Sequence, residues 1–261
     1  MYPATLEELF SLAGRVALIT GASGDLGWAM AHGLAIAGAQ VALNGRAQDR
    51  LERLRQELQE RGTEAASFSA DLEDLAALPQ LIQAVVAHFG RLDILVNCAG
   101  INLRQPFLEV SPADYDQIMR TNLRSVYFLC QAAAPQMIRQ GGGQIINVGS
   151  LTSTIGLNEV SVYGLTKAAI VQLTKTLAIE LAAYNIRVNC ICPGFMATRL
   201  TVPLWDDPRR RSWMLERLPI KRPGEPDDLI GLLIYLASEA SRYVTGQAIY
   251  VDGGFLAGGH W

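Results

Sequence analysis

The stretch from Val16 to Gly27 reads VALITGASGDLG, and the residues directly after it read WAMAHGLA. The apolar run predicts a buried strand, the glycines predict a tight turn, and the residues that follow are typical of a helix. A glycine-rich turn between a strand and a helix lets backbone N–H groups approach a phosphate at the positive end of the helix. The stretch therefore predicts a phosphate-binding turn at the carboxyl end of the first strand.

Strand-like and helix-like segments alternate along the chain, with short connections that contain glycine or aspartate. This alternation is typical of an α/β protein whose parallel sheet carries helices on both faces. Half of the residues are hydrophobic and 18% are charged, as expected for a sheet that is buried on both faces. We therefore predict a single Rossmann-like, doubly wound domain over residues 1–261, with residues 1–13 as a lead-in and seven strands in the sheet. The predicted strands are 15–20, 40–44, 64–68, 92–96, 144–148, 186–192 and 247–251, and the predicted helices are 25–37, 48–61, 73–88, one that begins at Ser111, 123–138 and 161–183.

Residues 194–225 interrupt the alternation and contain two tryptophans, Trp205 and Trp213. Long irregular insertions in compact domains tend to be lids or binding loops. The tryptophans are equally compatible with packing against the edge of the sheet. We expect this segment to select the substrate.

The overall charge excludes two classes of partner. The net charge is −3 at pH 7, whereas proteins that bind nucleic acids or anionic membranes carry a surplus of basic residues. No apolar run reaches membrane-spanning length, and the acidic Glu7 and Glu8 do not fit an N-terminal signal segment. A cytoplasmic protein without nucleic-acid or membrane partners is expected.

The four cysteines lack CxxC spacing and fall in apolar runs, so we interpret them as reduced core thiols. The three histidines are far apart in the sequence, and no metal site is expected. The cysteines are Cys98, Cys130, Cys190 and Cys192.

The residues with the most reactive side chains lie between Gly149 and Lys167, in GSLTSTIGLNEVSVYGLTK. Tyr163 and Lys167 are four positions apart, so on a helix they share one face. A free tyrosine, with a pKa near ~10, is a poor base at neutral pH, but a nearby ammonium favours its phenolate form. Ser150 is able to hydrogen-bond a substrate oxygen on which charge develops. Taken alone, the pattern favours a structural interpretation, in which Tyr163 and Lys167 lie at the edge of an amphipathic helix and Ser150 lies in a turn.

Further motifs reverse this interpretation. Asn97-Cys98-Ala99-Gly100 follows another apolar run, and Asn122 and Pro193-Gly194 lie further along the chain. Together with the glycine-rich turn and the serine, tyrosine and lysine, in this order and at these distances, they resemble the short-chain dehydrogenase/reductase family over nearly the whole chain.

The resemblance implies a catalytic set of four residues. Tyr163 would be the general acid and base, and Ser150 would orient the carbonyl or hydroxyl of the substrate. Lys167 would hold the nicotinamide ribose and tune Tyr163, and Asn122 would anchor a water that relays protons. A different class, a catalytically idle nucleotide-binding protein, is the alternative.

The resemblance also implies the residues that bind a nicotinamide dinucleotide. The family pattern places a glycine where this chain has Asp25, with Gly24 one place earlier. Because a carboxylate repels phosphate, we expect Asp25 to point away into solvent. The implied residues are Gly21, Ser23, Gly24, Asp25, Leu26, Gly27, Asn44, Arg46, Asp71, Leu72, Asn97, Ala99, Gly100, Tyr163, Lys167, Pro193, Gly194 and Thr198.

The end of the second strand predicts the choice of cofactor. An acidic residue there would accept hydrogen bonds from the ribose hydroxyls of NAD, but this chain has Gly45 followed by Arg46. An arginine offers a planar fork that suits a 2′-phosphate. NADP(H) is therefore preferred and NAD(H) possible, the alternative being that Arg46 is a surface arginine. Asp71 is equally compatible with contacting the adenine and with capping a helix.

Within the family, several segments are similar to the gluconate 5-dehydrogenases, which interconvert gluconate and 5-ketogluconate. A sugar-acid substrate carries a carboxylate, for which Arg104 is the nearest cation by sequence and the Arg209 to Arg211 run is the alternative. Substrate contacts are thus expected from Ser150, Tyr163 and Arg104. A 3-oxoacyl-thioester reductase and a broad ketone reductase are the alternatives, and the resemblance implies a homo-oligomer, a tetramer or dimer, through the two longest helices.

Overall fold

Seven parallel strands form one sheet in the computed structural model, which describes residues 5–258. The strand order is β3-β2-β1-β4-β5-β6-β7, and every neighbouring pair is parallel. The order reverses between β1 and β4, where an open parallel sheet leaves a crevice at the carboxyl ends of its strands. The predicted sheet is thus confirmed. The strands are β1 (Val16–Thr20), β2 (Gln40–Leu43), β3 (Ala65–Ser67), β4 (Ile94–Asn97), β5 (Gly143–Val148), β6 (Ile186–Pro193) and β7 (Ala248–Val251).

The carboxyl ends of the central strands are level with one another. Thr20 of β1 pairs with Asn97 of β4, which pairs with Asn147 of β5. Asn147 pairs in turn with Cys190 of β6. The turns that leave these strands therefore begin at the same edge of the sheet.

Both faces of the sheet are buried. Along β1, Ala17 and Ile19 pack into one apolar cluster, whereas Val16 and Leu18 pack into the other. All four side chains are fully buried. Because successive side chains of a strand point to opposite faces, an uninterrupted apolar run requires helices on both faces.

Ten α-helices accompany the sheet in residues 5–258. Ser111 caps one of them, because its side chain accepts a hydrogen bond from the backbone N–H of Asp114. No helix in this part of the chain is both long and apolar enough to cross a membrane. The helices are α1 (Leu6–Phe10), α2 (Asp25–Ile36), α3 (Gln48–Glu60), α4 (Ala77–Phe89), α5 (Pro112–Met119), α6 (Ser125–Arg139), α7 (Ser161–Leu181), α8 (Val202–Asp206), α9 (Pro208–Arg217) and α10 (Ile230–Ala237).

Several helices differ from the sequence-based predictions, and helix α10 was not predicted. The lead-in contains α1, which Thr5 and Glu8 stabilise with a reciprocal capping box. Helix α4 begins at Ala77 rather than 73, because the Asp71 and Asp74 side chains accept the amides of Glu73 and Ala76 and hold turns there. Residues 120–124 form a π-helical turn before α6 rather than its first turn.

The 194–225 segment is more regular than predicted, because it contains α8 and α9. The side chain of Asp207 caps α9 by accepting the amides of Arg209 and Arg210, and Pro208 occupies its first position. Pro203 and Pro208 lie in the first turns of α8 and α9, where proline is compatible with a helix.

Candidate functional site

The glycine-rich turn leaves no room for side chains at two of its glycines. Gly21 has a positive φ of 66°, and a Cβ there would lie 2.7 Å from Ala99 Cα. A Cβ on Gly27 would lie 2.3 Å from the carbonyl oxygen of Gly21. Gly24 precedes α2 without a side-chain cap, so the first N–H groups of α2 are left for a ligand. This cradle fits a pyrophosphate held by backbone amides.

A cleft of about 630 Å³, here called the large cleft, opens beside this turn. It is bounded by the ends of β1, β2 and β4 and by residues 198–200. Thirteen of the predicted cofactor residues line it. They are Gly21, Ser23, Gly24, Asp25, Leu26, Gly27, Asn44, Arg46, Asp71, Leu72, Ala99, Gly100 and Thr198.

Asn97 is not among the residues that line the large cleft. Its amide nitrogen donates to Asn147 Oδ1 at 2.9 Å, and Asn147 donates to Thr174 Oγ1 at 2.9 Å. The asparagine therefore joins β4 to β5 inside the core. The loop after it is held by Thr20 Oγ1, which accepts the amides of Cys98 and Ala99. Pro193 is likewise buried, at the end of β6.

At the mouth of the large cleft, Arg46 is present, and the neighbouring Gly45 leaves little room for an acidic side chain. The Arg46 side chain is exposed there. A Cβ on Gly45 would lie 2.7 Å from Ser23 Oγ, so an aspartate at this position would displace the serine. Asn44 is buried and donates to the carbonyls of Phe68 and Ala70, which joins the ends of β2 and β3.

Asp25 does not point into solvent, so that expectation is wrong. Its carboxylate accepts the backbone N–H of Arg199 at 2.7 Å and Arg199 Nε at 2.8 Å. Arg50 Nη2 is a further donor at 3.4 Å. The guanidinium of Arg199 also donates to the carbonyl oxygen of Ser23 at 3.2 Å. Two arginines neutralise the acid, which therefore bridges the glycine-rich turn to residues after β6.

Tyr163 and Lys167 lie on one face of α7, near its start. Lys167 is 5% exposed, and its Nζ donates to the carbonyl oxygen of Val148 at 2.8 Å. The same Nζ lies 5.5 Å from the centre of the Tyr163 ring. The ammonium is thus fixed at the end of β5, with its charge beside the phenol.

Asn122 lies in the π-helical turn, a helix irregularity often found at functional sites. It is fully buried, and its side-chain amide pairs with both the N–H and the carbonyl of Ile101, at 2.8 Å each. A Cβ on Gly100 would lie 3.4 Å from Asn122 Oδ1 and 3.7 Å from Lys167 Nζ. The π turn therefore fixes the loop after β4 close to the buried ammonium.

Ser150 follows β5 in extended backbone, and its Oγ accepts the amide of Thr152 at 3.1 Å. The preceding Gly149 packs against two thiols, because a Cβ there would lie 2.6 Å from Cys192 Sγ and 2.9 Å from Cys190 Sγ. The hydrogen bond with Cys192 and burial hold the pKa of the Cys190 thiol well above its ordinary value.

All four cysteines are free, and Cys130, Cys190 and Cys192 are buried as predicted, whereas Cys98 is partly buried and lines the large cleft. Burial raises the pKa of Cys98 to about 11 and that of Cys130 to about 12. Across residues 5–258, no three His, Cys, Asp or Glu side chains are grouped so that they could hold a metal.

A second cavity of about 290 Å³, here called the small pocket, lies beside the large cleft and shares Asn102 and Leu200 with it. Both polar and apolar side chains line it. Its lining residues are Asn102, Arg104, Ser150, Leu151, Thr152, Leu157, Val160, Tyr163, Gly194, Phe195, Leu200, Thr201 and Leu204.

Two arginines, one from the loop after β4 and one from helix α9, lie near the small pocket. Burial and the positive charge of Arg210 lower the pKa of Arg104, which lines the pocket. Arg210, on α9, is held by Glu159 at 3.2 Å. The backbone carbonyl of Glu159 accepts the amide of Gln105, which is next to Arg104. The two cations proposed as alternatives from the sequence therefore share one region.

The two tryptophans of the 194–225 segment do not line the small pocket. Trp205 and Trp213 pack edge-on against Phe195, with ring centres 6.5 Å and 6.2 Å away. Phe255 completes this aromatic cluster. The tryptophans therefore support Phe195, which does line the pocket.

Sequence reasoning missed Asn102 and Arg199, and it gave Arg210 only as an alternative to Arg104 rather than as its neighbour. Asp25 itself indicated that a cation lies near it, because an acid in a phosphate-binding turn requires one. Nothing in the sequence around Arg199 indicated that it was this cation.

Comparisons with known proteins agree with this geometry. A family model described as enoyl-(acyl carrier protein) reductase matches residues 21–256. The chain is 44% identical over 250 residues to the 2-dehydro-3-deoxy-D-gluconate 5-dehydrogenase of Escherichia coli, a match that covers 95% of this chain and 98% of the relative. It is 38% identical over 247 residues to the gluconate 5-dehydrogenase of Gluconobacter oxydans, with 95% and 96% covered.

A solved structure has the same fold throughout. The crystal structure of a gluconate 5-dehydrogenase from Burkholderia cenocepacia in complex with NADP and tartrate superposes with a TM-score of 0.94. The two chains are 37% identical, and the match covers 97% of this chain and 100% of the other.

Proposed function

Because the chain belongs to the short-chain dehydrogenase/reductase family, we propose that it transfers a hydride between NADP(H) and a secondary alcohol or ketone of a sugar acid, with gluconate and 5-ketogluconate as the substrate pair. NADP(H), when bound, supplies or accepts the hydride. The cradle at Gly21 and Gly27 would hold its pyrophosphate, and Arg46 would bind the 2′-phosphate. The gluconate dehydrogenase names of the relatives and the NADP in the related crystal structure support this assignment.

Four residues near the small pocket have separate roles in the proposed proton transfer. In the direction of ketone reduction, Tyr163 donates its phenolic proton to the carbonyl oxygen, and Ser150 donates a hydrogen bond to the same oxygen. The buried Lys167 ammonium stabilises the negative charge left on the phenol. Asn122 fixes the loop at Ile101 and anchors a water that returns the proton to the site.

The observation that carries the choice of a sugar acid is the position of Arg104. Arg104, whose side chain is exposed, lines the small pocket together with Ser150 and Tyr163, and desolvation and the positive charge of Arg210 lower its pKa. An anion in a partly closed pocket requires a cation, and a guanidinium binds a carboxylate through two parallel hydrogen bonds. A 3-oxoacyl thioester or a simple ketone has no carboxylate for this arginine.

A substrate panel tests the proposal. Initial rates would be measured for the reduction of 5-ketogluconate, a 3-oxoacyl thioester and an uncharged ketone, and for the oxidation of 2-dehydro-3-deoxygluconate. Each reaction would be run with both cofactors. We expect the highest kcat/KM with a sugar acid and NADP(H). A higher kcat/KM with the thioester would instead support the acyl reductase, and an absence of hydride transfer with every substrate would support an idle nucleotide-binding protein.

Arg46→Ala should raise the KM for NADP and leave the KM for NAD nearly unchanged. The arginine lies at the mouth of the large cleft, where only the 2′-phosphate distinguishes the two cofactors. The loss of one charge-assisted contact corresponds to roughly 1.5–3 kcal/mol, or about a 10- to 150-fold rise in KM. Equal effects on both cofactors would show that Arg46 supports the turn and does not select the cofactor.

We also infer that the protein is a homotetramer, located in the cytoplasm. Helices α6 and α7 carry large apolar side chains on their outer surfaces, among them Tyr127 at 47% exposure, Leu165 at 59% and Ile179 at 80%. Leu165 and Ile179 lie on one face of α7, four turns apart. Apolar surface of this kind marks an interface between subunits.

Ile179→Glu should dissociate the tetramer, because a second copy would bring the charged side chains into an apolar contact. Light scattering after size exclusion would give the mass of the unaltered protein and of the variant. Ile36→Glu is the matched control, since Ile36 is 71% exposed on α2 and should leave the tetramer intact. A monomeric unaltered protein at micromolar concentration would contradict the inference.

A further inference from the structure

Asp25 and Arg199 connect two segments that are far apart in the sequence. Asp25 begins α2 directly after the glycine-rich turn, whereas Arg199 follows β6, beside Thr198. The carboxylate accepts both the amide and the Nε of Arg199, and the guanidinium reaches back to the carbonyl of Ser23. We refer to this set of contacts as the Asp25–Arg199 clasp.

The clasp lies where a dinucleotide would pass. Ser23, Gly24 and Asp25 from the glycine-rich turn and Thr198, Arg199 and Leu200 from the segment after β6 all line the large cleft. Leu200 also lines the small pocket, so the segment after β6 borders both cavities. Any movement of this segment therefore alters access to the large cleft and the shape of the small pocket together.

The Asp25 carboxylate in the clasp accepts more hydrogen bonds than the carboxylate of a typical surface ion pair. Exposed pairs contribute little because solvent screens them and because two long side chains must be ordered. Here the Arg199 side chain is 58% exposed, but Asp25 is only 22% exposed and accepts a backbone amide in addition to the guanidinium, and Arg50 provides further positive charge. A carboxylate that receives three donors has a defined orientation, which a lone surface pair lacks.

We propose that the Asp25–Arg199 clasp holds the segment after β6 closed against the glycine-rich turn and thereby limits the rate at which NADP(H) enters and leaves. Asp25 and Arg199 are positioning residues in this role. The inference rests on the proposed binding of NADP(H) in the large cleft. It explains how an acid is tolerated beside a pyrophosphate, since the carboxylate is already occupied by cations of this chain.

Removal of the negative Asp25 and removal of the positive Arg199 should have the same effect on the dissociation of NADPH. If Asp25 acted only by repelling phosphate, Asp25→Ala would slow the dissociation of NADPH. If Arg199 acted only by attracting phosphate, Arg199→Ala would speed dissociation and Asp25→Ala would not. The clasp predicts that both variants speed dissociation, and that the double variant is no faster than the faster single variant.

The test uses the full chain and two measurements. Stopped-flow fluorescence would follow the release of NADPH after mixing with excess NADP, and we expect about a tenfold faster release in Asp25→Ala and in Arg199→Ala, which corresponds to ~1.4 kcal/mol. Hydrogen exchange of the cofactor-free protein would follow the amides of residues 194–206. These amides should exchange faster in both variants than in the unaltered protein.

A matched control removes a different ion pair from the same segment. Arg222 pairs with Asp228 through contacts of 2.7 Å and 2.9 Å. Arg222→Ala should leave the NADPH release rate within about twofold, because neither Arg222 nor Asp228 lines the large cleft. Thermal unfolding of every variant would identify general loss of structure.

Slower release in Asp25→Ala, or strictly additive effects in the double variant, would overturn the clasp. Unchanged exchange of residues 194–206 in both variants would overturn it as well. If NADPH failed to bind the unaltered protein, the proposed function would fail, whereas the exchange experiment would still decide whether the clasp closes the segment.

Discussion

Tyr163→Phe should lower kcat for 5-ketogluconate reduction at least ~100-fold, the scale of a lost general acid. The change removes only the phenolic oxygen, at a position where α7 holds the ring 5.5 Å from the buried Lys167 ammonium. No other side chain that lines the small pocket replaces a phenol as a proton donor, because the hydroxyls of Ser150 and Thr152 are far weaker acids. Steady-state kinetics would give kcat, and fluorescence titration would check that NADPH still binds.

Tyr184→Phe is the matched control, because Tyr184 lies beyond the far end of α7 and is 48% exposed. It should retain full kcat. A kcat of Tyr163→Phe within tenfold of the unaltered enzyme would show that another group transfers the proton.

Arg104→Ala should reduce kcat/KM for 5-ketogluconate by roughly 2–3 kcal/mol, or about 30- to 150-fold, the loss typical of a charged hydrogen bond. Arg104 lines the small pocket, and burial together with the positive charge of Arg210 lowers its pKa. A substrate carboxylate would relieve the repulsion between these two cations. An uncharged ketone lacks the carboxylate, so its kcat/KM should change little.

Arg104→Lys refines this experiment, because lysine keeps the charge but loses the planar fork. We expect an intermediate loss for 5-ketogluconate. Arg139→Ala, which removes an exposed arginine from the end of α6, should have no effect on either substrate. Equal losses for the sugar acid and the uncharged ketone in Arg104→Ala would indicate that Arg104 only supports its loop.

The sheet and most of the large cleft were predictable from local sequence. Apolar runs such as Val16 to Ile19 are buried on both faces, so periodicity and length alone identify the strands. The glycine-rich turn was equally predictable, since the positive φ at Gly21 and the close approach at Gly27 require glycine. These features depend on neighbouring residues in the chain.

Features that depend on distant pairs were not predictable in this way. The orientation of Asp25 is decided by Arg199, 174 positions later in the chain. The inward orientation of Asn97 is decided by Asn147 on the adjacent strand. The region shared by Arg104 and Arg210 arises only when α9 folds back toward Glu159. Sequence spacing contains no information about such tertiary contacts.

The small pocket has a further consequence for how substrate preference can evolve. Its walls come from the loops that follow β4, β5 and β6, whereas the strands themselves are buried in the core. Substitutions on such loops usually change the free energy of unfolding by less than ~0.5 kcal/mol. Substitutions at exposed lining residues such as Arg104 and Leu200 would therefore alter which molecule is reduced at little cost in stability, and new specificities would arise in these loops while the sheet stayed unchanged.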